Sequence, residues 1–510
     1  MEMNAADLLL APGRAASAGE NPAILSDDVS VSYNQLEAAA CQAAHAIAAF
    51  GVEVGDRVLI MADDRPEFLY AYLGAMKIGA VPVALNLRFS VANLTFIVAD
   101  SACKLILADA EFVENFKPAT EGDNAPALVV FDKEFPALMV GQSDTFQSRH
   151  LQPDDMAFWM YTSGTTGKPK AVVHCQRCIS SVERYLGPVF GVGPGSKIFC
   201  TSKLFFAFSI GHTVLAGLRL GASIVLHAGW PSSKSIAAVI ERHRPTIVLS
   251  VPTLYGVLLQ DGLTNGEGFE GVSHFISAGE HLPRTLFEKW LAVTGNPILQ
   301  GIGATEALVM FIGNSPADYL PGATGKPYPG TDVRLVGEDG DVIEEPGIPG
   351  VLWVRCGSLA REYWNQEEKT QAAFKDGWYI TGDVFFVDDG GFYHYQGRDD
   401  DMLKISGQWV SPAEIESHVL ANPQVSEAAV VGVEDASGLV RLGLCLVPQG
   451  RKTDHAALEE ELLETLAARL SIYKCPRRFI FIDEMPRTST GKIQRFKLRQ
   501  LAIDFLESVS

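Results

Sequence analysis

A short loop at residues 161–172, YTSGTTGKPKAV, has the composition of an anion-binding site. Its hydroxyl side chains and backbone N–H groups can donate to phosphate oxygens, and Gly164 and Gly167 let the backbone approach a ligand closely. Lys168 and Lys170 add positive charge. The apolar runs on either side read as strands. The stretch predicts a phosphate-binding loop, with a solvated turn as the competing interpretation.

The spacing within this loop differs from the common nucleotide-binding P-loop. That motif needs four residues between its glycines and a Ser or Thr after its lysine. Here two residues separate Gly164 from Gly167, and Pro169 follows Lys168. A second segment with similar letters, TGKP at 324–327, lacks the hydroxyl run and predicts a structural turn.

Four later segments accompany the loop in a fixed order along the chain. They are GIGATE (301–306), YITGD (379–383), GRDDDMLKISG (397–407) and PRTSTGKIQR (486–495). Together with the loop, they resemble the acyl-adenylate-forming superfamily of acyl-CoA synthetases, luciferases and peptide-synthetase adenylation domains. The resemblance implies two steps, in which a carboxylate attacks the α-phosphate of ATP and a thiol then displaces AMP from the acyl-AMP. Such a site works by positioning two anions and stabilising developing charge.

The resemblance also implies roles for residues in the N-terminal part. Glu306 would be a ligand of Mg²⁺, and Thr305 would donate to the α-phosphate. The loop residues that would bind the β- and γ-phosphates are Thr162, Ser163, Gly164, Thr165, Thr166, Gly167 and Lys170. The residues that would form walls around adenine are Gly279, Glu280, Gly301, Ile302 and Gly303.

Further nucleotide contacts are implied nearer the C-terminus. Asp383 would accept hydrogen bonds from the ribose hydroxyls, and Arg398 would also reach the nucleotide. Lys492 would touch both the carboxylate and the α-phosphate during adenylation. Read alone, such a lysine is a solvated side chain, so its role rests on the resemblance.

A hinge would let one site perform two reactions. The resemblance places the hinge at Asp400, and rotation there would withdraw Lys492 and bring in the segment 404–409. Lys404, Gly407 and Trp409 would then serve the thioester step, with Gly407 lining the path of the thiol.

The segment KLFFAFSIGH at 203–212 corresponds to the acyl pocket of this superfamily. Amino-acid-activating relatives carry an aspartate after an aromatic residue here, but Phe205 is followed by Phe206, so a substrate ammonium would be costly to bury. The segment and 301–314 resemble benzoate and substituted-benzoate CoA ligases. The pocket candidates, with core packing as the alternative, are Phe206, Ala207, Phe208, His212, Ile302, Gly303 and Val309.

Val309 departs from the benzoate ligases, which carry histidine three residues after the metal-binding glutamate. We therefore predict an ATP-dependent, AMP-forming acid–CoA ligase for a small aromatic acid, with benzoate, a substituted or heteroaryl ring and an alicyclic acid left open. ATP, Mg²⁺ and CoA are the expected cofactors and substrates, and no haem, flavin or zinc is expected. The alternatives are a medium-chain acyl-CoA synthetase, an enzyme that loads a carrier protein, and a nucleotide-binding regulator without turnover.

The elements that would position these residues follow an α/β pattern. Helical and strand-like segments alternate at 34–50, 56–62, 68–86 and 235–251, which favours largely parallel sheets. After about residue 320, short β-rich runs indicate a small subdomain. We predict a large N-terminal domain of layered α/β subdomains at 1–398 and a mobile α+β domain at 399–510.

Composition limits the class of protein. The chain has 510 residues, 47% apolar and 20% charged, and its formal net charge of −20 disfavours nucleic acid and anionic lipid as partners. No signal peptide or membrane span is evident, so we expect a cytoplasmic enzyme, with a homodimer left open. Eight scattered cysteines resemble reduced usage. Cys175 and Cys178 form a CxxC pair, for which a redox role and simple packing are the two interpretations.

Overall fold

The structure is a computed structural model that describes residues 2–27, 29–122, 125–163, 168–399, 401–405, 408–434, 440–450, 453–476, 478–487 and 493–509. The chain forms two compact units. One comprises residues 1–333 and 354–380, and the other residues 334–353 and 381–510. The chain passes between the units within strands, rather than at a single linker. The predicted domain boundary between residues 398 and 399, with a hinge at Asp400, stays a prediction.

The helices of the first unit are α1 (Ala5–Ala15), α2 (Tyr33–Ala48), α3 (Pro66–Ile78), α4 (Val91–Ser101), α5 (Val113–Phe116), α6 (Phe135–Met139), α7 (Leu186–Phe190), α8 (Ala207–Ser209), α9 (Gly217–Arg219), α10 (Ser233–His243), α11 (Pro252–Gln260), α12 (Glu267–Glu270), α13 (Arg284–Thr294) and α14 (Glu367–Ala373). Those of the second unit are α15 (Pro412–Val419), α16 (His455–Arg469) and α17 (Arg495–Val509). A π-helix, Ile210–Ala216, continues α8 into α9.

The strands up to the middle of the chain are β1 (Pro22–Ser26), β2 (Val29–Ser32), β3 (Arg57–Met61), β4 (Val81–Ala84), β5 (Leu105–Ala108), β6 (Ala127–Val130), β7 (Met156–Ser163), β8 (Pro169–Cys175), β9 (Lys197–Cys200), β10 (Ser223–Leu226), β11 (Ile247–Ser250), β12 (His274–Ser277), β13 (Ile298–Gly303) and β14 (Met310–Gly313). Later strands are β15 (Lys326–Pro327), β16 (Thr331–Val336), β17 (Val342–Ile343), β18 (Gly350–Cys356), β19 (Glu362–Tyr363), β20 (Phe374–Lys375), β21 (Trp378–Val387), β22 (Tyr393–Arg398), β23 (Leu403–Ile405), β24 (Gln408–Val410), β25 (Val425–Glu434), β26 (Val440–Pro448) and β27 (Arg478–Phe481).

Two largely parallel sheets form the first unit. One has the order β19-β8-β7-β4-β3-β5-β6, and the other β15-β14-β13-β12-β11-β9-β10-β1-β2. The neighbours from β7 to β6 and from β13 to β1 are parallel, whereas β8, β19, β14, β15 and β2 join antiparallel. Parallel strands bring their carboxyl ends to one edge, where ligands of α/β proteins bind. The α/β fold class is confirmed.

Local sequence explains why these elements form. Helix α2 begins with a capping box, in which Ser32 accepts from the Gln35 N–H and Gln35 accepts from the Ser32 N–H. Strands such as β4, VPVA, are buried along their whole length because helices cover both faces of a parallel sheet. One core cluster contains Ile60 of β3, Ile198 of β9 and Leu36 of α2, so it reaches both sheets.

The second unit is an α+β assembly with its own core. Strands β25, β26 and β27 form one sheet, and the hairpin of β23 and β24 pairs Lys404 with Trp409. Residues of α15, β26 and α16, including Ile415, Leu444 and Leu462, share a buried cluster. No helix in the described part of the chain has the length and apolar character needed to span a membrane.

Candidate active site

The predicted phosphate-binding loop lies between two paired strands, as the apolar runs on either side of it predicted. Strands β7 and β8 pair antiparallel, with Thr162 opposite Lys170 and Ser163 opposite Pro169. The Thr162 hydroxyl is buried and has no hydrogen-bond partner among the described residues. Since a buried hydroxyl without a partner costs free energy, this atom is suited to receive a ligand at the end of the hairpin. The loop itself, at 164–167, lies outside the described residues.

Glu306 lies on a short 3₁₀ turn, Thr305–Ala307, that follows β13. Its carboxylate is buried, and Oε1 accepts hydrogen bonds from Lys170 Nζ at 3.1 Å and from the Tyr363 hydroxyl at 2.6 Å. Burial alone would raise the pKa of Glu306, but the charge of Lys170 and the hydrogen bond from Tyr363 outweigh burial and hold that pKa below its usual value. The structure therefore brings a loop lysine and the predicted metal-binding acid together.

The backbone beside Glu306 is held by a histidine of β8. His174 Nε2 lies 2.9 Å from the carbonyl oxygen of Thr305, and its ring stacks on Phe158 at 4.8 Å between centroids. Burial lowers the pKa of His174 to about 4, so the imidazole is neutral at physiological pH. Because Nε2 faces an acceptor, it carries the proton. Lys170 and His174 are four residues apart on β8, on one face of the strand, and they hold consecutive residues of the 305–306 turn.

A strained turn at 307–309 follows Glu306 and packs against residues 203–212, the predicted acyl-pocket residues, which are called the acyl segment below. Leu308 has φ 67° and ψ −46°, and the Val309 N–H donates to the Ala307 carbonyl at 2.8 Å, which is a γ-turn of the rare positive-φ kind. Ser358 Oγ also donates to the Ala307 carbonyl, at 2.6 Å. Gly211 packs so closely that a Cβ there would lie 2.4 Å from the Leu308 carbonyl oxygen. Such strain persists only where the surroundings over-determine the backbone.

His212 connects the acyl segment to this turn. The Met310 N–H donates to its Nε2 at 3.0 Å, so the other nitrogen, Nδ1, carries the proton and donates to the Phe208 carbonyl at 2.9 Å. The ring is buried, and burial lowers its pKa to about 3. Both nitrogens are thus engaged with backbone groups, so in this arrangement neither is available for a hydrogen bond to a substrate.

The remaining pocket candidates lie on two stretches of chain, one before His212 and one on either side of the 305–307 turn. Phe206 precedes α8, Ala207 and Phe208 lie within it, and all three are partly exposed. Val309 is fully buried just before β14. Ile302 and Gly303 lie on β13, opposite Ile312 and Met310 of β14. The segment from 206 to 212 and the turn after Glu306 are therefore adjacent.

The acyl segment starts at a buried cation. Lys203 forms ion pairs with Asp63 and with Asp64, the latter at 3.2 Å, and it donates to the carbonyls of His227 and Gly229, each at 3.1 Å. The Leu204 N–H donates to Asp64 as well. These contacts hold the start of the acyl segment, which follows β9, against the residues after β3. Strands β3 and β9 belong to the two different sheets of the first unit.

The predicted adenine walls lie at the ends of neighbouring strands. Gly279 follows β12 with φ 86°, a conformation that favours glycine, and Gly301 lies on β13, the next strand of the sheet. The Glu280 carboxylate is exposed and accepts from the Thr253 hydroxyl at 2.6 Å, at the start of α11. Their nucleotide roles stay predictions.

Two nucleotide candidates belong to the second unit. Asp383 of β21 lies opposite Arg398 of β22, and Arg398 Nη1 is 3.1 Å from an Asp383 carboxylate oxygen and 2.8 Å from the Thr381 carbonyl oxygen. The arginine thus orients the predicted ribose-binding acid. Lys404 and Trp409 lie on the β23–β24 hairpin.

Several predicted residues lie outside the described residues: Gly164, Thr165, Thr166, Gly167, Asp400, Gly407 and Lys492. Their assignments stay predictions. The CxxC cysteines are described, and both are buried and free. Burial raises the pKa of Cys175 to about 11 and that of Cys178 to about 12, which favours the packing interpretation over a redox role.

The donor set of this site fits a nucleotide-bound Mg²⁺ ion better than an all-protein metal cage. Within the described ranges, no group of three or more His, Cys, Asp or Glu residues could hold a metal. Glu306 offers one carboxylate, already paired with a cationic ammonium. Mg²⁺ is typically held by one or two carboxylates together with substrate phosphates and water, so Glu306 is the residue that would hold it.

Family models match both parts of the chain. The model described as AMP-binding enzyme matches residues 13–364, and the model of the AMP-binding enzyme C-terminal domain matches residues 414–492. This chain belongs to the AMP-binding enzyme family. A 3-hydroxybenzoate–CoA ligase of Aromatoleum sp. (strain CIB) is 46% identical over 506 residues, which cover 98% of this chain and 97% of that protein.

Solved structures of other family members agree with this assignment. An anthranilate CoA ligase in complex with anthranoyl-AMP is 31% identical with a TM-score of 0.89, covering 98% of this chain and 97% of that one. A benzoate CoA ligase from Burkholderia xenovorans LB400 is 34% identical with a TM-score of 0.85, covering 98% and 100%. The predicted resemblance to benzoate and substituted-benzoate ligases is confirmed.

Sequence reasoning missed two residues of this family site. Tyr363 and His174 both contact the 305–306 turn, yet neither lies in a motif that the sequence singled out for chemistry. His174 stood beside the CxxC pair and Tyr363 in the run REYWNQ. Their roles depend on strand pairing, β8 with β7 and with β19, that local spacing does not reveal.

Proposed function

We propose that this chain is an AMP-forming aromatic acid–CoA ligase that activates benzoate or a hydroxybenzoate. The observation that carries the proposal is the position of the Glu306–Lys170 pair. The pair lies at the end of the loop hairpin, next to a turn that packs against the phenylalanine-containing acyl segment. The ligases for 3-hydroxybenzoate, anthranilate and benzoate that the chain resembles throughout its length support a substituted ring.

Different residues of the chain would bind different parts of the reacting ATP during adenylation. Lys170 and the Thr162 hydroxyl would donate to the terminal phosphates of ATP, and Glu306 would hold Mg²⁺, which supplies charge neutralisation when bound. Lys492 would stabilise charge on the carboxylate and the α-phosphate as the acyl-AMP forms. Asp383, oriented by Arg398, would accept from the ribose hydroxyls.

The acyl segment would select the acid. Its partly exposed rings, Phe206 and Phe208, can pack against a substrate ring. Residue 206 is a phenylalanine where amino-acid-activating relatives carry the aspartate that pairs with a substrate ammonium. The two nitrogens of His212 are engaged with backbone, so we infer that His212 contributes shape rather than a hydrogen bond to the ring.

The test is ATP–pyrophosphate exchange with a panel of carboxylic acids. We expect exchange with benzoate and 3-hydroxybenzoate, and mass spectrometry of mixed-acid reactions should show the corresponding CoA thioesters. Preference for medium-chain or alicyclic acids would overturn the aromatic assignment, and loading of a carrier protein without free-CoA turnover would overturn the choice of thiol.

A second comparison isolates the C-terminal lysine. We expect Lys492→Ala to suppress adenylation far more than thioester formation from preformed acyl-AMP, because its charge is needed only in the first step. Equal losses in both steps would contradict that role. A cytoplasmic location and a homodimer are part of the proposal, and size-exclusion chromatography with light scattering tests the latter.

A further inference from the structure

Tyr363 contacts both members of the Glu306–Lys170 ion pair. Its hydroxyl donates to Glu306 Oε1 at 2.6 Å, and Lys170 Nζ lies 3.8 Å from the centroid of its ring. The side chain is buried. Tyr363 therefore contacts Glu306 through its hydroxyl and Lys170 through its ring.

The strand that carries Tyr363 is fixed by its neighbours. In β19, Tyr363 lies opposite Val172 of β8, two residues beyond Lys170 along that strand. The Tyr363 N–H donates to Thr370 Oγ1 at 3.0 Å, and the ring packs at 5.6 Å from that of Phe374. The hydroxyl is thus held in place independently of Glu306.

The two donors to Glu306 differ in what the reaction requires of them. In the proposed function Lys170 donates to the phosphates, so it would turn away from the Glu306 carboxylate when nucleotide binds. The Tyr363 phenol is neutral and rigidly mounted, so it can keep its hydrogen bond throughout. A carboxylate that retains one fixed donor keeps its orientation, which a single-carboxylate Mg²⁺ site needs.

We propose that Tyr363 is a positioning residue for metal–nucleotide binding, in which its hydroxyl fixes the Glu306 carboxylate while Lys170 moves from Glu306 and the tyrosine ring to the phosphates. This inference rests on the proposed function for the identity of the nucleotide. In the proposed function Tyr363 contacts neither ATP nor the carboxylic acid substrate, so its role would be exerted through Glu306.

The first experiment measures metal–nucleotide binding without turnover. Manganese–ATP binding to wild type and Tyr363→Phe is measured by electron paramagnetic resonance of Mn²⁺, in the absence of any acid. Hydrogen bonds to charged groups contribute enough that we expect roughly ten- to hundred-fold weaker binding in the variant. In exchange assays, the Mg²⁺ concentration for half-maximal rate should rise, while KM for the aromatic acid stays within about twofold of wild type.

A matched control removes a different buried hydroxyl. Tyr255 donates to the carbonyls of Val248 and Ile276, each at 3.0 Å, in a core cluster away from Glu306. Tyr255→Phe should lower thermal stability by an amount similar to Tyr363→Phe, yet leave manganese–ATP affinity unchanged. An equal loss of affinity in both variants would mean that general destabilisation explains the effect, and would overturn the proposal.

A double-mutant cycle tests whether Tyr363 acts through Glu306. In the Glu306→Gln background, Tyr363→Phe should cause little further loss of manganese–ATP affinity, because the group that it orients is already altered. Additive losses, or wild-type affinity in Tyr363→Phe alone, would overturn the proposal. Failure of the proposed function appears separately, as a wild-type protein that binds manganese–ATP but shows no exchange with any aromatic acid.

Discussion

Replacing His212 by phenylalanine would test how the acyl segment is held against the metal-binding turn. The ring contacts with Tyr185 and Phe208, at 5.6 and 5.3 Å between centroids, can be kept by a phenyl ring of similar size. The hydrogen bonds cannot be kept. The Met310 N–H, which donates to His212 Nε2 at 3.0 Å, would become a buried donor without a partner.

The magnitude follows from that lost partner. An unsatisfied buried N–H costs about 1–3 kcal/mol, and we expect His212→Phe to lower the free energy of unfolding by that amount and Tm by several degrees. Loss of this hydrogen bond would let the strained backbone at Leu308 relax, which would displace the neighbouring pocket candidate Val309. A loss of about 1.4 kcal/mol of transition-state stabilisation would lower kcat/KM for the aromatic acid about tenfold.

The assay combines thermal unfolding with steady-state kinetics in which the acid and ATP are varied separately. His45→Phe is the control, because it removes a hydrogen bond to the Thr145 carbonyl near the surface, where water can replace it. We expect the control to keep wild-type Tm and kinetics. Wild-type Tm and wild-type kcat/KM for the acid in His212→Phe would refute the reasoning that this histidine supports the turn.

Three further predictions concern other described groups. Burial depresses the pKa of His174 to about 4, so its stabilising contribution is full well above pH 6.5 and falls as the pH drops toward 4. In urea titrations, the free energy of unfolding of His174→Gln should fall by about 1.6 kcal/mol less than that of wild type between pH 6.5 and 5, and equal losses would contradict this. Gly211→Ala should lower Tm strongly because its Cβ would meet a backbone carbonyl oxygen at 2.4 Å. Gly256→Ala, inside helix α11, should not, because its Cβ would make only an ordinary contact with Leu286 at 3.9 Å. Differential scanning fluorimetry compares the two variants, and equal losses of Tm would contradict this. With iodoacetamide and mass spectrometry, the partly exposed Cys475 should be alkylated before the buried Cys178, and the reverse order would contradict the packing interpretation.

Much of the fold and part of the site follow from local sequence. The alternation of apolar runs predicts the parallel sheets, and the strands flanking the loop appear as β7 and β8. Glu306 and Lys170 were both identified by motif, and they meet in the structure at 3.1 Å. The motifs suffice here because each residue lies beside a regular strand, Lys170 near the start of β8 and Glu306 shortly after β13, within segments that resemble the superfamily.

The contacts that hold those residues could not be predicted in the same way. Tyr363 reaches Glu306 only because β19 pairs with β8, across 57 residues of sequence between the two side chains. His212 was predicted as a pocket residue, but the use of its nitrogens depends on the Met310 N–H, which is 98 residues away. Long-range pairing of this kind leaves no periodic trace in a single sequence.

The register of β8 has a consequence for how this architecture can diversify. Lys170 and His174 contact neighbouring residues of one turn from one face of one strand. A single residue inserted or deleted between them would therefore turn one of them to the opposite face of the strand. Side chains such as Ala207 carry no such constraint. Successive changes in the recognised acid can therefore accumulate through ordinary point substitutions, while the spacing of the activating groups is inherited intact.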